Sequence, residues 1–420
     1  LIDGWVASRE PVTHRASVHL LGGRPYPIRL EFFKFKDKRA SVSLLWKPPR
    51  GIEEVIPARN LAPTSVAPTY SPAQPFPADD ASSGYERGTL VSPEWDEAVT
   101  YAAVEMANVV LANVNRLART KSNDPDRSRK IREFAVKFVQ FAFRRPLTQK
   151  QLKFFVHDRF GSKGISSEAA LKEIVLLALK SPRFLYPELP SPLDSPTAAL
   201  SSDKPGSHEQ YARASRLALA LWDSLPDQSL RHAASQGHLR TENQLRGQAS
   251  NLIKDDRAKA KLRGFFLHWL HLNNESNPAK DSATFPEFGA DLSADLRHSL
   301  FRFLDHVAWE GSGDFRELLR ADYLFLNPRL AIYYDVKLPD SNATGFQRVS
   351  LSGKGRSGIV THPYLLSTFA YSNQTSPIHR GVFLARKVVG RALKPPPNAV
   401  EFKDAEFDPH LTMREKVAEL

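Results

Sequence analysis

Cysteine is absent from the 420 residues, and methionine occurs only twice. The missing thiols exclude disulfides, thiolate metal sites and thiol nucleophiles within this chain, while leaving its compartment open. Long hydrophobic runs are missing too. The greasiest stretches are short pieces such as IVLLAL at 174–179, against the roughly 18–20 apolar residues a membrane-spanning helix needs. No transmembrane segment is expected. The opening LIDGWVASRE lacks an initiating Met and the charged, apolar and small-residue blocks of a secretion signal. There is no phosphate-binding glycine loop, no GxSxG and no HExxH, so none of the short motifs for those chemistries is available to assign a reaction.

What the chain does contain is enough apolar material to fold, 41% of residues, over a length that implies two or three domains. Its formal charge of +12 favours adhesion to a polyanion, whether nucleic acid, anionic polysaccharide or acidic membrane surface. The cations are scattered, however. Arg127, Arg129, Lys130 and Arg132, and again Lys254, Arg257, Lys259, Lys261 and Arg263, are interleaved with acids as on solvated helix faces. That scatter argues against a nucleic-acid footprint and for ordinary solvated surface; binding of the basic surface to an acidic glycan is a further reading.

Residues 16–46 alternate with period two, the mark of half-buried strands. Val18 and Leu20 precede a GGR turn; Tyr26, Ile28, Leu30 and Phe32 share a face, with Arg29 and Glu31 between; Ala40, Val42, Leu44 and Trp46 repeat the pattern. Three strands with one oily face predict half of an antiparallel sandwich, with its covering sheet outside these residues. A Pro/Ser/Ala-rich stretch over 62–93 and another at 187–207 then read as linkers.

Beyond the first linker the signals are helical. Ser92 followed by Pro93 and the acids Glu94, Asp96 and Glu97 is a helix start. Thr148 with Gln151, Ser207 with Gln210, and Thr241 with Gln244 have capping-box spacing. Apolar spacing of three and four runs through 131–143, 168–179, 211–222, 258–272 and 292–309, predicting a mainly α-helical region over 93–335. Near the end, Ser376 caps, Pro377 takes the first helical position, and Ile378, Val382, Ala385 and Val389 form an apolar stripe opposite Arg380, Lys387 and Arg391. Pro395, Pro396 and Pro397 follow as an extended spacer. The expected fold is multidomain: a partial antiparallel β-sandwich at 1–63, a linker at 64–92, helical domains at 93–189 and 208–340 joined by a linker at 190–207, and a helical segment with a proline-rich spacer at 341–420.

Chemistry-bearing clusters each have a simpler structural reading. His268 and His271 have helical spacing suited to two metal ligands but lack a third, and their neighbours supply a core stripe. His298, Arg302 and His306 share a helix face, readable as a proton relay or a solvated polar surface. The acidic pairs at 79–80 and 255–256 lack the alternating oxygens of a calcium loop. No metal site is predicted. RSGIVTH at 356–362 and TSPIHRG at 375–381 combine compact turns with cations, so Arg356, His362, Thr375 and Arg380 are the candidate ligand-binding residues, able to clamp an anion or, for the two arginines, to form ion pairs between helices. Catalytic residues are not assigned.

LIDGW, LLGGRPYPIRLEFF, SVSLLWKPP and EEVIPARNLAP, within residues 1–63, resemble the closing half of a protective-antigen-type β-sandwich. That domain is often carbohydrate-binding, and its calcium and ligand loops lie upstream of this half. FAFRRPLT, LALKSPRFLYPEL, LALWDSLPDQSLRHAASQGHL, FFLHWL, ADYLFLNPRLAIYY, RSGIVTHPYLL and TSPIHRG, in that order over 93–420, resemble planctomycete-type secreted multidomain proteins built from domains of unknown function, many carrying c-type haem modules. The resemblance implies export to the periplasm or cell exterior, a carbohydrate or cell-surface glycan partner, a redox partner protein, and a c-type haem in a tail beyond LTMREKVAEL. No cofactor is expected within this chain. Members commonly have a Glu-Thr pair where Ser299 and Leu300 stand here, so any role of that acid is not carried over. The resemblance implies a non-catalytic scaffold; its alternative is an enzyme, such as a haem-dependent oxidoreductase acting in polysaccharide breakdown, with a site in the helical region.

Overall fold

The structure, a computed structural model, describes residues 2, 12–33, 40–49, 51, 53–56, 60–63, 66, 69–78, 91–161, 164–186, 206–272, 278–353, 355–391, 393, 407–408 and 411–419. Among them the chain is mainly α-helical, with two small antiparallel sheets. It is a multidomain chain that resolves into two compact units, Leu1–Arg29 with Ser65–Lys261 and Leu30–Thr64 with Leu262–Leu420. The LIDGW stretch apart from Ile2, positions 79–90 of the first linker, 187–205 of the second and the proline run at 395–397 lie outside the described residues.

The first unit is built on α1 (Pro93–Ala112), α2 (Arg127–Ala142) and α3 (Ser167–Leu179). Ser92 accepts from the Trp95 amide at 3.1 Å, and the Thr148/Gln151 capping box forms, because both need only contacts within one turn. α1 buries Ala98, Ala102, Ala103 and Ala107; α2 buries Ile131, Ala135, Val139 and Ala142; α3 contributes Leu171, Ile174, Val175 and Ala178. Alanine stripes let the helix axes approach closely, and the larger side chains of α3 fill the space between them. Part of the first linker lies along α1, where Glu105 accepts from the Ala73 amide at 2.9 Å and Asn113 from the Tyr70 hydroxyl at 3.2 Å.

The same unit continues with α4 (His208–Trp222), α5 (Gln228–Ser235) and α6 (Glu242–Leu252). The Thr241/Gln244 capping box forms; the expected Ser207/Gln210 box does not. Gln210 is fully buried, and its carbonyl accepts from the Leu239 amide at 3.0 Å. An otherwise orphaned interior donor outweighs an exposed cap, since an unmet buried amide costs the larger penalty. The FAFRRPLT phrase also acquires a role. Arg144 takes a left-handed backbone at φ 62° and is buried, with its guanidinium donating to the carbonyls of Arg183 and Phe184. Burial, then the charge of Arg145, depresses it to about 10.

Among the described residues, the strands expected over 16–46 are confined to Leu45–Trp46, in the second unit. β1 (Leu45–Trp46) pairs with β2 (Glu54–Val55), supported by a Trp46 indole bond to Glu54 at 3.2 Å. Described residues 12–33, shared between the two units, hold no strand, and Ile28 and Phe32 are 60% and 50% exposed. Alternation stabilises a strand only when its apolar face is covered and its edge is paired.

The core of this unit is α8 (Ala290–Asp305) against a two-stranded sheet, β3 (Tyr323–Leu326) with β4 (Gln347–Ser350), in the register Tyr323↔Ser350 to Leu326↔Gln347. α8 buries Leu292, Leu296, Leu300, Phe303 and Leu304, each worth about 1.5–3 kcal/mol in apolar transfer. All four β3 residues are buried. α7 (Asp256–Trp269) contributes Phe266 to this core, followed by Leu270 and Leu272. It stops before His271, whose φ of 57° is left-handed, so His268 and His271 do not share a helix face. The helices α9 (Pro328–Tyr333), α10 (Pro363–Thr368) and α11 (Pro377–Phe383) each begin with proline.

The expected stripe on α11 is displaced. Ile378 and Val389 are 42% and 73% exposed, whereas Phe383 is buried and Leu384 and Val388 pack on the core. For Val389 the cause is a π-turn over Leu384–Val388, marked by the Val389 amide bonding the Leu384 carbonyl at 2.9 Å; Ile378 lies upstream of it. A wider turn adds a residue, so four-residue spacing no longer tracks one face.

Candidate functional site

Arg356 and His362 lie in a tight connection leading from β4 into α10. Gly358 bears the sharpest constraint: φ is 53°, and a Cβ there would stand 2.3 Å from the Leu318 carbonyl oxygen. Only glycine fits a positive φ at such close approach. Its amide donates to the Ala321 carbonyl at 2.7 Å. Around it, Ser357 donates its hydroxyl to the Leu319 carbonyl at 2.9 Å and its amide to Thr361 Oγ1 at 2.8 Å. Arg356 donates to the Thr361 carbonyl at 3.1 Å, and its guanidinium sits 5.3 Å from the Tyr334 ring centre. Burial pushes the Tyr334 phenol above its ordinary range.

His362 is completely buried and caps α10: its Nδ1 accepts from the Tyr364 amide at 3.2 Å. A backbone N–H can only donate, so Nδ1 carries the lone pair and the neutral ring holds its proton on Nε2. Nε2 faces Ser299 Oγ at 3.4 Å, and Ser299 is 1% exposed. The proton therefore points from histidine to serine. A general base activating a hydroxyl requires the reverse, an acceptor nitrogen facing the O–H. Burial, then the charge of Arg356, depresses the imidazole to about 3. The pair has the composition of a base and a nucleophile, but in this tautomer it is a structural contact.

Thr375 and Arg380 meet at the start of α11. Arg380 donates to Thr375 Oγ1 at 2.7 Å and to the Ser376 carbonyl at 3.3 Å, while Ser376, 1% exposed, caps the helix through the His379 amide. The four candidates thus form two local groups, Arg356 with His362 and Thr375 with Arg380. Among the described residues no hydrogen bond or ion pair joins one group to the other.

Elsewhere in this unit, Arg302 and His306 meet on Glu310, at 3.5 and 3.2 Å, while His298 packs edge-on against Phe346. An open depression of about 550 Å³ lies between α8 and α9, lined by Glu287, Asp291, Arg329, Ile332 and Tyr333 among others. Arg329 pairs there with Asp291 at 2.8 Å and approaches Asp295 at 3.2 Å. Nothing local in the sequence marks these residues, because the partners stand more than thirty positions apart. Among the described residues no group of three or more His, Asp or Glu side chains is arranged to hold a metal ion, and no helix is long and apolar enough to cross a membrane.

Comparison with known proteins adds two family matches. Residues 209–336 match the model described as PSD4, Protein of unknown function (DUF1592), and residues 356–420 match PSCyt3, Protein of unknown function (DUF1588). The first match covers α4 to α9, and the second begins at Arg356 and takes in α10 and α11. No curated protein and no solved structure matches the chain. The two matches, in this order, support a planctomycete-type multidomain protein assembled from domains of unknown function related to cytochrome-associated families.

Proposed function

We propose that the chain is a non-catalytic helical scaffold of an exported multidomain protein, linking a carbohydrate- or surface-binding sandwich of the protective-antigen type to a c-type haem module outside these residues. The observation that carries the reading is how the candidate polar groups are used. Arg356, His362 and Arg380 bond backbone and hydroxyl groups of their own connections, which fixes those turns. The match to a cytochrome-associated family supports a haem partner. The residues present do not fit covalent haem attachment, because thioether bonds require cysteine and the chain has none; the scaffold reading therefore places the haem elsewhere.

The test is to isolate the full-length gene product from cells expressing it natively, record its absorption spectrum and fractionate the envelope. A Soret band in a periplasmic or extracellular protein that is retained on insoluble polysaccharide is the expected result. A haem-free protein confined to the cytoplasm would overturn the proposal.

A further inference from the structure

The connection from α9 to β4 contains Asp340-Ser341-Asn342-Ala343-Thr344. Asparagine with a hydroxyl residue two positions on, and no proline between, is the acceptor pattern for asparagine-linked glycans, which need a surface loop. Here the acid at the position two before adds the feature read by the acid-requiring class of oligosaccharyltransferase. Asp340, Asn342 and Thr344 are all exposed. Among the described residues the Asn342 carboxamide and the Thr344 hydroxyl make no hydrogen bond within the chain, so both are available to a transferase. The loop is held at its base: Asp340 donates its amide to Gln347 Oε1 at 2.8 Å and accepts from Gln347 Nε2 at 2.7 Å. Its carboxylate accepts from the Asn342 amide at 2.9 Å, a single surface bond.

A second match to the three-residue pattern, Asn373-Gln374-Thr375, serves as an internal control. Its hydroxyl is taken by Arg380 at 2.7 Å. The preceding backbone is pinned, with the Tyr371 carbonyl accepting from Lys280 at 2.8 Å and the Ser372 carbonyl from the Asp281 amide at 2.9 Å. Position 371 is tyrosine where the acid would stand. Of three copies of the motif, one of them Asn274-Glu275-Ser276 outside the described residues, the two described are therefore presented differently, and only Asn342 has both an acid two positions before it and a hydroxyl two positions on that makes no hydrogen bond among the described residues.

We propose that Asn342 is an acceptor for an asparagine-linked glycan, donated by a lipid-linked saccharide pyrophosphate. The Asn342 amide nitrogen forms a bond to the anomeric carbon, the bond from that carbon to the pyrophosphate oxygen breaks, and the lipid pyrophosphate leaves with the electron pair. The amide proton passes to a base of the transferase. In the cell this modification rests on the export reading above, because the acceptor must meet the donor outside the cytoplasm.

The experiment incubates the purified, folded full chain with a purified acid-requiring oligosaccharyltransferase and its lipid-linked oligosaccharide, followed by trypsin and mass spectrometry. The tryptic peptide 338–348, LPDSNATGFQR, gains the mass of one glycan, and the peptide containing Asn373 gains none. Asn342→Gln and Thr344→Val abolish the adduct; Asp340→Ala loses most of it and Asp340→Glu retains it. An unmodified 338–348 peptide from the folded chain overturns the proposal, as does labelling of Asp340→Ala equal to the parent. Because every component is purified, failure here removes the acceptor site and leaves export standing, whereas a cytoplasmic location removes export and leaves acceptor competence standing.

Discussion

Replacing His362 by asparagine separates two things the buried imidazole does: it caps α10 and it titrates. Asparagine is among the best helix caps and can still accept from the Tyr364 amide, but it carries no proton equilibrium. The ring falls from an ordinary 6.5 to about 3 in the folded chain. Between those values the unfolded chain binds a proton that the folded chain refuses, so the unfolded state binds more protons and stability rises with pH. Full stability is present above 6.5 and is lost progressively as the pH falls toward 3, at about 1.4 kcal/mol per unit and about 5 kcal/mol in all. At pH 5 the loss is about 2 kcal/mol, or about thirtyfold in the opening equilibrium. Hydrogen exchange on the full chain, corrected for intrinsic rates, reads this locally in peptides covering Ala290–Asp305 and Pro363–Thr368. Protection of the parent falls by that factor between pH 7 and 5. His362→Asn begins lower at both pH values, by about 1–3 kcal/mol for the lost ring volume, but lacks the histidine-dependent drop. Equal pH dependence in parent and variant would refute the argument that burial keeps the ring neutral.

Three further outcomes follow from the backbone and the buried cation. Gly358→Ala forces a Cβ against the Leu318 carbonyl at positive φ and lowers the stability of the second unit by more than about 2 kcal/mol; Gly247→Ala, on the open face of α6 with no atom within 4 Å of the added carbon, raises that of the first by about 0.5–1 kcal/mol, both read from urea midpoints. Arg144→Met leaves the Arg183 and Phe184 carbonyls without their charged donor and costs about 2–4 kcal/mol, seen as lost exchange protection at 181–186 with the second unit unchanged.

Much of the helical framework was legible because its signals are local. A serine before a proline, or a threonine three residues ahead of glutamine, specifies a helix start through bonds spanning one turn, and Ser92, Thr148, Thr241 and Ser376 all behave so. Gln210 departs from that pattern because its partner, the Leu239 amide, lies across the fold, and no spacing rule sees it. The candidate-site residues were legible as a pair of turn phrases, but not in their use. His362 reads the same in the sequence whether it accepts or donates toward Ser299, 63 positions away.

The sequence by itself determined that this is a cysteine-free, multidomain chain with a mainly helical body, and where several of its helices begin, since composition and capping act within a few residues. Tertiary structure decided which residues after Phe383, at the end of α11, are buried, through a π-turn that shifts their register, and which nitrogen of His362 bears the proton, through a backbone amide that can only donate. The bonds themselves are local, the Tyr364 amide lying two residues from His362, but the burial that gives them their consequence comes from segments distant in the chain, Ser299 among them, where the energy of one buried contact exceeds any local preference.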